Sequence, residues 1–196
     1  MSVNILDKGS ACPPWYTWPV LISPERLVRW RVPLGWVFGL TALYLAKPSP
    51  VGFAVGIGVA GIGECIRLWA SSHLVKNETL ATDGPYAWTR NPLYFGSLWL
   101  GLGFALATGR WFLIAVVGAL FVLVYLPVMR REALRLSQAF PGAYAGYRDS
   151  VPLFWPRFPS GKSPGSGSWG RVVSNREHWT VLGYVVVALL LGWKLL

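Results

Sequence analysis

Long apolar runs separated by short polar stretches set the pattern of the chain. Val32–Ala46, Val51–His73, Pro92–Thr108, Trp111–Met129 and Trp179–Leu196 are nearly free of charge and approach the length, about 20 residues, that a helix needs to cross a bilayer. The first reaches it only by drawing Trp30 or Arg31 into the interface. In hydrocarbon a backbone must satisfy its own hydrogen bonds, so each run is predicted to be helical. The expected fold is an all-α integral membrane protein with about five transmembrane helices. Gly109-Arg110 leaves almost no loop between the third and fourth runs, which predicts an antiparallel helical hairpin. Between the second and third runs, Gly84-Pro85 forms a turn, Asn91 suits a helix N-cap and Pro92 suits the first helical position. The amides and positive dipole end of that helix, with Arg90 beside them, offer a site for a carboxylate or phosphate.

Composition agrees with the pattern. With 54% hydrophobic and 13% charged residues, the chain is poorer in charge than a soluble domain, for which about a quarter is usual. A net charge of +10 raises the question of nucleic acid, but the charges follow the runs instead. Lys8, Arg26, Arg29 and Arg31 precede the first; Lys76 and Arg90 follow the second; Arg130, Arg131, Arg135, Arg148, Arg157, Lys162, Arg171 and Arg176 follow the fourth. Only Lys47, Arg110 and Lys194 fall on the alternate side. The positive-inside rule then gives a cytosolic N-terminus, an outward C-terminus and a shared cytosolic face for the polar regions Lys76–Asn91 and Arg130–His178. Nucleic acid is not an expected partner. Residues 1–31 show no cleavable signal pattern and read as a cytosolic or interfacial segment. Residues 32–158 form the membrane core, 159–178 a flexible basic linker around Pro159–Gly170, and 179–196 a last helix that reads as an added anchor. Cys12 and Cys65 have no close cysteine or histidine partner, so neither a disulfide framework nor a metal site is indicated.

Gly56-Ile57-Gly58-Val59-Ala60-Gly61 matches the dinucleotide fingerprint literally, but that motif needs a strand, a turn and a helix, and here the run lies inside one apolar segment. Close helix packing through small residues is the expected role. Glu64 and Arg67, three apart on one helical face, are able to pair. Ionisable groups at that depth are functional candidates, the alternative being a structural pair with Arg67 snorkelling to the interface. After the fourth run, Arg130 and Arg131 read either as site residues or as a stop-transfer cluster; Glu132 is the one acid near that boundary. Tyr144 and Tyr147 suit interfacial positions as well as a site, and His73 and His178 read as interfacial.

Taken in order, these clusters resemble the isoprenylcysteine carboxyl methyltransferase family and its phospholipid methyltransferase relatives. That family has an arginine followed by a Gly-x-Tyr-x-x-x-Arg-His-Pro-x-Tyr-x-Gly block. Glu-Glu-x-x-Leu, Phe-Gly-x-x-Tyr-x-x-Tyr and Val-Pro come after it. Arg67, Gly84, Tyr86, Arg90, Pro92, Tyr94, Gly96, Glu132, Phe140, Tyr144, Tyr147, Val151 and Pro152 meet the pattern over roughly residues 61–156. Asn91 replaces the family's histidine, Arg131 the first glutamate and Pro141 the glycine after Phe140; a further family histidine is absent near Glu78 and Thr79.

The resemblance implies S-adenosylmethionine as cofactor, contacted by Gly84, Tyr86, Arg90, Asn91, Leu93, Tyr94 and Glu132. A lipid-borne or small hydrophobic acceptor would then lie near Arg67, Tyr94, Arg130 and Glu132, with carboxylate and amine acceptors both open. Two other readings stand beside it: a nicotinamide-dependent ene or sterol reductase, which shares a similar block but carries about twice as many spans, and a non-catalytic protein binding lipid or a partner.

Overall fold

In the computed structural model, residues 24–75, 79–158 and 165–196 are described. Lys8, Cys12, Lys76, Glu78 and Lys162 lie outside them, as do residues 159–164 of the expected linker. The elements are α1 (Pro24–Leu45), α2 (Pro50–His73), a 3-10 turn (Gly84–Ala87), α3 (Pro92–Ala107), α4 (Trp111–Leu120), a π turn (Phe121–Tyr125), α5 (Leu126–Ala139), α6 (Pro141–Ser150), α7 (Trp169–Ser174) and α8 (His178–Trp193), with no strand among the described residues. Two apolar helices, Pro50–His73 and the continuous Trp111–Ala139, are long enough to cross a membrane; Gly35–Leu45, Pro92–Ala107 and His178–Trp193 are apolar but shorter. Leu40, Val55, Ile62, Leu123 and Leu189 are all exposed, the outward apolar surface expected of helices that face lipid.

α2 and α3 form the tightest pair, and small residues are the reason. On α2, Gly56, Ala60 and Gly63 recur on one face; on α3, Gly96, Gly103 and Ala107 do the same. A Cβ at Gly63 would lie 2.6 Å from the Gly96 carbonyl oxygen, and one at Gly103 would lie 2.6 Å from Ala60 Cα. The backbones therefore touch along an antiparallel seam, as small-xxx-small patterns allow. Gly58 faces open space and Gly61 faces the Tyr184 hydroxyl, so the fingerprint-like run divides between separate faces of one helix.

At one end of the bundle the three cations of the alternate side come together. The Lys47 amide donates to Thr108 O at 2.8 Å. Arg110 Nε donates to Leu45 O at 2.8 Å, and Lys194 Nζ donates to Leu43 O at 2.7 Å and Tyr44 O at 3.1 Å. Arg110 and Lys194 thus satisfy carbonyls that α1 leaves open at its C-terminus. The α3–α4 hairpin forms as expected, with Gly109 at φ 69° supplying the left-handed turn residue.

α8 is no mere added anchor. Tyr184 donates to Ile57 O at 3.2 Å, and Leu191 is buried against Ala46 and Ala107. The described part of the expected linker is likewise tied down: the Ser168 amide donates to Ser72 O at 3.0 Å, and Arg171 Nη1 reaches the same carbonyl at 3.4 Å. Backbone carbonyls freed at the C-terminus of α2 are what these donors satisfy.

Candidate active site

The other end of the bundle holds the polar chemistry. α3 begins at Pro92 as expected, but Asn91 does not cap it with its side chain. Its Nδ2 donates instead to Leu153 O at 2.9 Å, because the segment after α6 runs back across the helix start and brings its carbonyls within reach. Thr89 Oγ1 donates to Phe154 O at 2.9 Å, the Arg90 amide donates to Pro152 O at 2.9 Å, and the Arg157 amide donates to Trp88 O at 2.9 Å. Residues 151–157 thus form a strap over the Gly84–Pro92 block.

α6 places Tyr144 and Tyr147 one turn apart on a buried face, packed with Ala133 and Val151. Tyr147 donates to Tyr86 O at 2.8 Å, and Arg90 Nη1 donates to the Tyr144 hydroxyl at 2.9 Å. Arg90 Nε is buried with no hydrogen-bond partner, a donor left available inside the site. These two tyrosines are packed inside, not spread at an interface.

Tyr125, the last residue of the π turn, and Glu132 on α5 both meet Tyr94. The Tyr94 hydroxyl donates to Glu132 Oε2 at 3.2 Å, and its ring lies 5.7 Å from that of Tyr125. The π turn just before α5 has a cause in the sequence: Pro127 has no amide for Leu123 O, and a locally widened helix accommodates the lost bond. Arg130 lies two positions before Glu132, roughly 200° around the helix. It is half-buried and makes interactions of its own.

Arg67 is held by Glu177 and by the first turns of α3. Its Nη2 donates to Glu177 Oε2 at 2.8 Å, with Oε1 at 3.0 Å, while Nη1 donates to Ser97 Oγ and approaches Leu93 O at 3.5 Å. Glu64 Oε2 stands 3.9 Å from Arg67 Nε, the expected pairing in loose form. Both Glu64 oxygens are buried with no hydrogen-bond partner. Glu177 was not anticipated. Its signal was present, since it is the one acid after Asp149 and stands immediately before an apolar helix.

Tyr86 links the two clusters. Its side chain is buried, and burial first, then the Glu132 carboxylate, Tyr147, the Glu177 carboxylate and Tyr94, push its phenol above the ordinary range. Burial likewise raises the Tyr147 phenol, against the pull of Arg90. Both hydroxyls are thereby kept protonated. The Asn91 side chain is bonded to Leu153 O, and Leu93 O accepts from Ser97 Oγ at 2.8 Å. Gly84, at φ 53°, leaves room for the His73 ring, which would stand 2.6 Å from any Cβ there. His73 is itself buried, its Nδ1 3.0 Å from Trp69 O, and so is a packing residue and not an interfacial one. Among the described residues no three His, Cys, Asp or Glu side chains gather to hold a metal ion.

Residues 51–142 match the phospholipid methyltransferase family, an interval spanning α2 through the start of α6 and containing Arg67, Arg90, Tyr94 and Glu132. The chain belongs to that family. Its membership and its long apolar helices mark it as a membrane protein carrying a methyltransferase-type domain. A cobalt-zinc-cadmium resistance protein of Cupriavidus metallidurans is 36% identical over 164 residues, covering 80% of this chain and 74% of that protein. A nickel-cobalt-cadmium resistance protein of Alcaligenes xylosoxydans is 33% identical over 105 residues, covering 53% of this chain and 47% of that protein. No solved structure matches the chain. α7, α8 and Glu177 lie beyond the family-matched interval.

Proposed function

We propose that this protein is a multi-pass membrane methyltransferase that uses S-adenosylmethionine to methylate a lipid-borne or small hydrophobic acceptor on the cytosolic face. The observation that carries the reading is the convergence of the Gly84–Tyr94 block with α5 and α6, through Tyr94–Glu132 and Arg90–Tyr144.

The donor set fits the cofactor. Arg90 offers a buried, unpartnered Nε to a carboxylate; Glu132 is an exposed acceptor for an ammonium or ribose hydroxyl. The faces of Tyr94 and Tyr125 suit a cationic sulfonium. When bound, the sulfonium supplies an electrophilic methyl group, transferred by in-line displacement. The protein's own residues contribute position and exclusion of water. Tyr94 orients the Glu132 carboxylate by its hydrogen bond, and the strap fixes the Arg90 backbone. Arg67 orients an anionic acceptor; for an amine acceptor, Glu64 or Glu132 takes the proton.

Binding of S-adenosylmethionine and its demethylated product to the purified protein in detergent tests the reading. Micromolar affinity for wild type, lost in Arg90→Ala and Glu132→Ala, is the expected result, followed by transfer of labelled methyl to a membrane extract. A folded wild type that binds neither compound refutes it and turns attention to nicotinamide cofactors. Both relatives are named for metal resistance, and growth of a deletion strain under cobalt, zinc and cadmium tests whether this chain shares that role.

A further inference from the structure

We propose that Thr89 is a positioning residue of the cofactor site: its buried hydroxyl pins the strap of residues 151–157 to the start of α3 and so sets where the Arg90 guanidinium stands relative to Tyr94 and Glu132. The role rests on the S-adenosylmethionine reading above and is indirect, since Thr89 acts on the ligand only through Arg90.

Three observations carry this. First, the Thr89 hydroxyl is engaged on both sides where little water reaches it. Thr89 is 2% exposed, and a buried hydroxyl has one proton to give and lone pairs to offer. Its Oγ1 donates to Phe154 O at 2.9 Å and accepts from the Asn91 amide at 3.3 Å. Pro92, the first residue of α3, has no amide, and the Asn91 amide just before it has no helical carbonyl to reach. One side chain therefore joins the strap to the helix start. Valine has nearly the same shape and makes neither bond.

Second, these bonds bracket Arg90. Before it, Trp88 O accepts from the Arg157 amide at 2.9 Å; its own amide donates to Pro152 O at 2.9 Å. After it, Asn91 is held by Thr89 Oγ1 through its amide and by Leu153 O, at 2.9 Å, through Nδ2. The backbone on both sides of Arg90 is thus fixed to the strap. At the far end of the side chain Nη1 donates to the Tyr144 hydroxyl at 2.9 Å, while Nε is buried without a partner. A guanidinium meets a carboxylate through a rigid planar fork, so a displaced backbone misaims it even when the charge is kept.

Third, the strap end of the Thr89 bond is tied to the other half of the site. The Phe154 ring lies 5.6 Å from that of Phe95 and 5.1 Å from that of Phe121. Phe121 stacks on Tyr125 at 5.2 Å, and Tyr125 stands 5.7 Å from Tyr94. Phe154 thus gives its ring to the wall that carries Tyr94 and its carbonyl to Thr89. The Thr89–Phe154 bond closes a circuit between Arg90 and the Tyr94–Glu132 pair. Without it, the two halves of the site lose a shared reference while the helices that carry them stay packed.

Equilibrium binding to the full chain in detergent tests this with two ligands: the demethylated product of S-adenosylmethionine, which carries the carboxylate assigned to Arg90, and methylthioadenosine, which lacks the amino-acid part. Thr89→Val should weaken the first about tenfold, the scale of one charge-assisted contact, and leave the second within about twofold. Thr89→Ser, which keeps the hydroxyl, should bind both as wild type does. In the ligand-free protein, hydrogen exchange at the Arg90 and Arg157 amides should quicken in Thr89→Val and not in Thr89→Ser. Thr89→Ala removes the same hydroxyl and gives the same reading where Thr89→Val does not fold. Equal weakening of both ligands, or no recovery in Thr89→Ser, would make Thr89 a packing residue and overturn the proposal. Wild-type binding that Thr89→Val leaves unchanged overturns the positioning role alone; a folded wild type that binds neither ligand refutes the methyltransferase reading and this role with it.

Discussion

Gly63→Ala and Gly58→Ala make a matched pair five residues apart on α2 with opposite expected effects. Replacing a mid-helix glycine by alanine removes backbone freedom from the unfolded chain and stabilises by about 0.5–1 kcal/mol where nothing obstructs the methyl group. At Gly58 nothing lies within 4 Å of the new Cβ, so that gain should appear in full. At Gly63 the Cβ would stand 2.6 Å from the Gly96 carbonyl oxygen and 3.0 Å from Leu100 Cα, with the Leu100 amide nearer still. Restoring ordinary contact requires the α2 and α3 backbones to part by roughly an ångström. Overpacking of that kind costs about 1–3 kcal/mol, which exceeds the propensity gain. For a chain of this size about 1 kcal/mol moves Tm by roughly 2–4 °C. Thermal unfolding in detergent should therefore show Gly58→Ala up by about 2 °C and Gly63→Ala down by several degrees. Because the same seam sets the position of Gly96 and the first turn of α3, Gly63→Ala should also weaken cofactor binding. A dinucleotide-binding role for Gly56–Gly61 would make Gly58→Ala the damaging change; that outcome, or equal effects at both positions, would refute the packing argument.

Removing individual site groups should separate their roles. Arg90→Ala should chiefly weaken S-adenosylmethionine binding in equilibrium titration, and Arg67→Ala should chiefly lower turnover; the reverse pattern would overturn the assignment. Tyr147→Phe takes the donor from Tyr86 O, and the loss of about 1–2 kcal/mol should be visible as a lower Tm with the helical content intact. Arg176, at φ 61°, ends α7 with its amide bonded to Val173 O and the Glu177 amide to Val172 O, a helix terminus that favours glycine; Arg176→Gly should raise Tm. For pH, the Tyr86 and Tyr147 phenols are both raised by burial, so the unfolded chain loses those protons first. Stability should hold below about pH 10 and fall as pH rises further, with no loss from these groups on the acid side; an unchanged Tm between pH 10 and 11 would contradict this.

Much of the helical plan was legible because each run is bounded by strong local signals: Ser49-Pro50 starts α2, Pro92 starts α3 and Gly109 turns the chain into α4. The end of α5 was not, since the apolar run stops near Met129 while the helix continues on polar residues to Ala139. The pairing of Tyr94 with Glu132 and of Arg90 with Tyr144 follows from long-range packing, and only the resemblance pointed to those residues together. Asn91 shows the limit of local rules. Its N-cap propensity is real, yet the strap presents Leu153 O to the same amide, and the tertiary bond is the one formed. Glu177 was missed for a similar reason: its partner is far away in sequence and only the packing of α8 on α2 joins them.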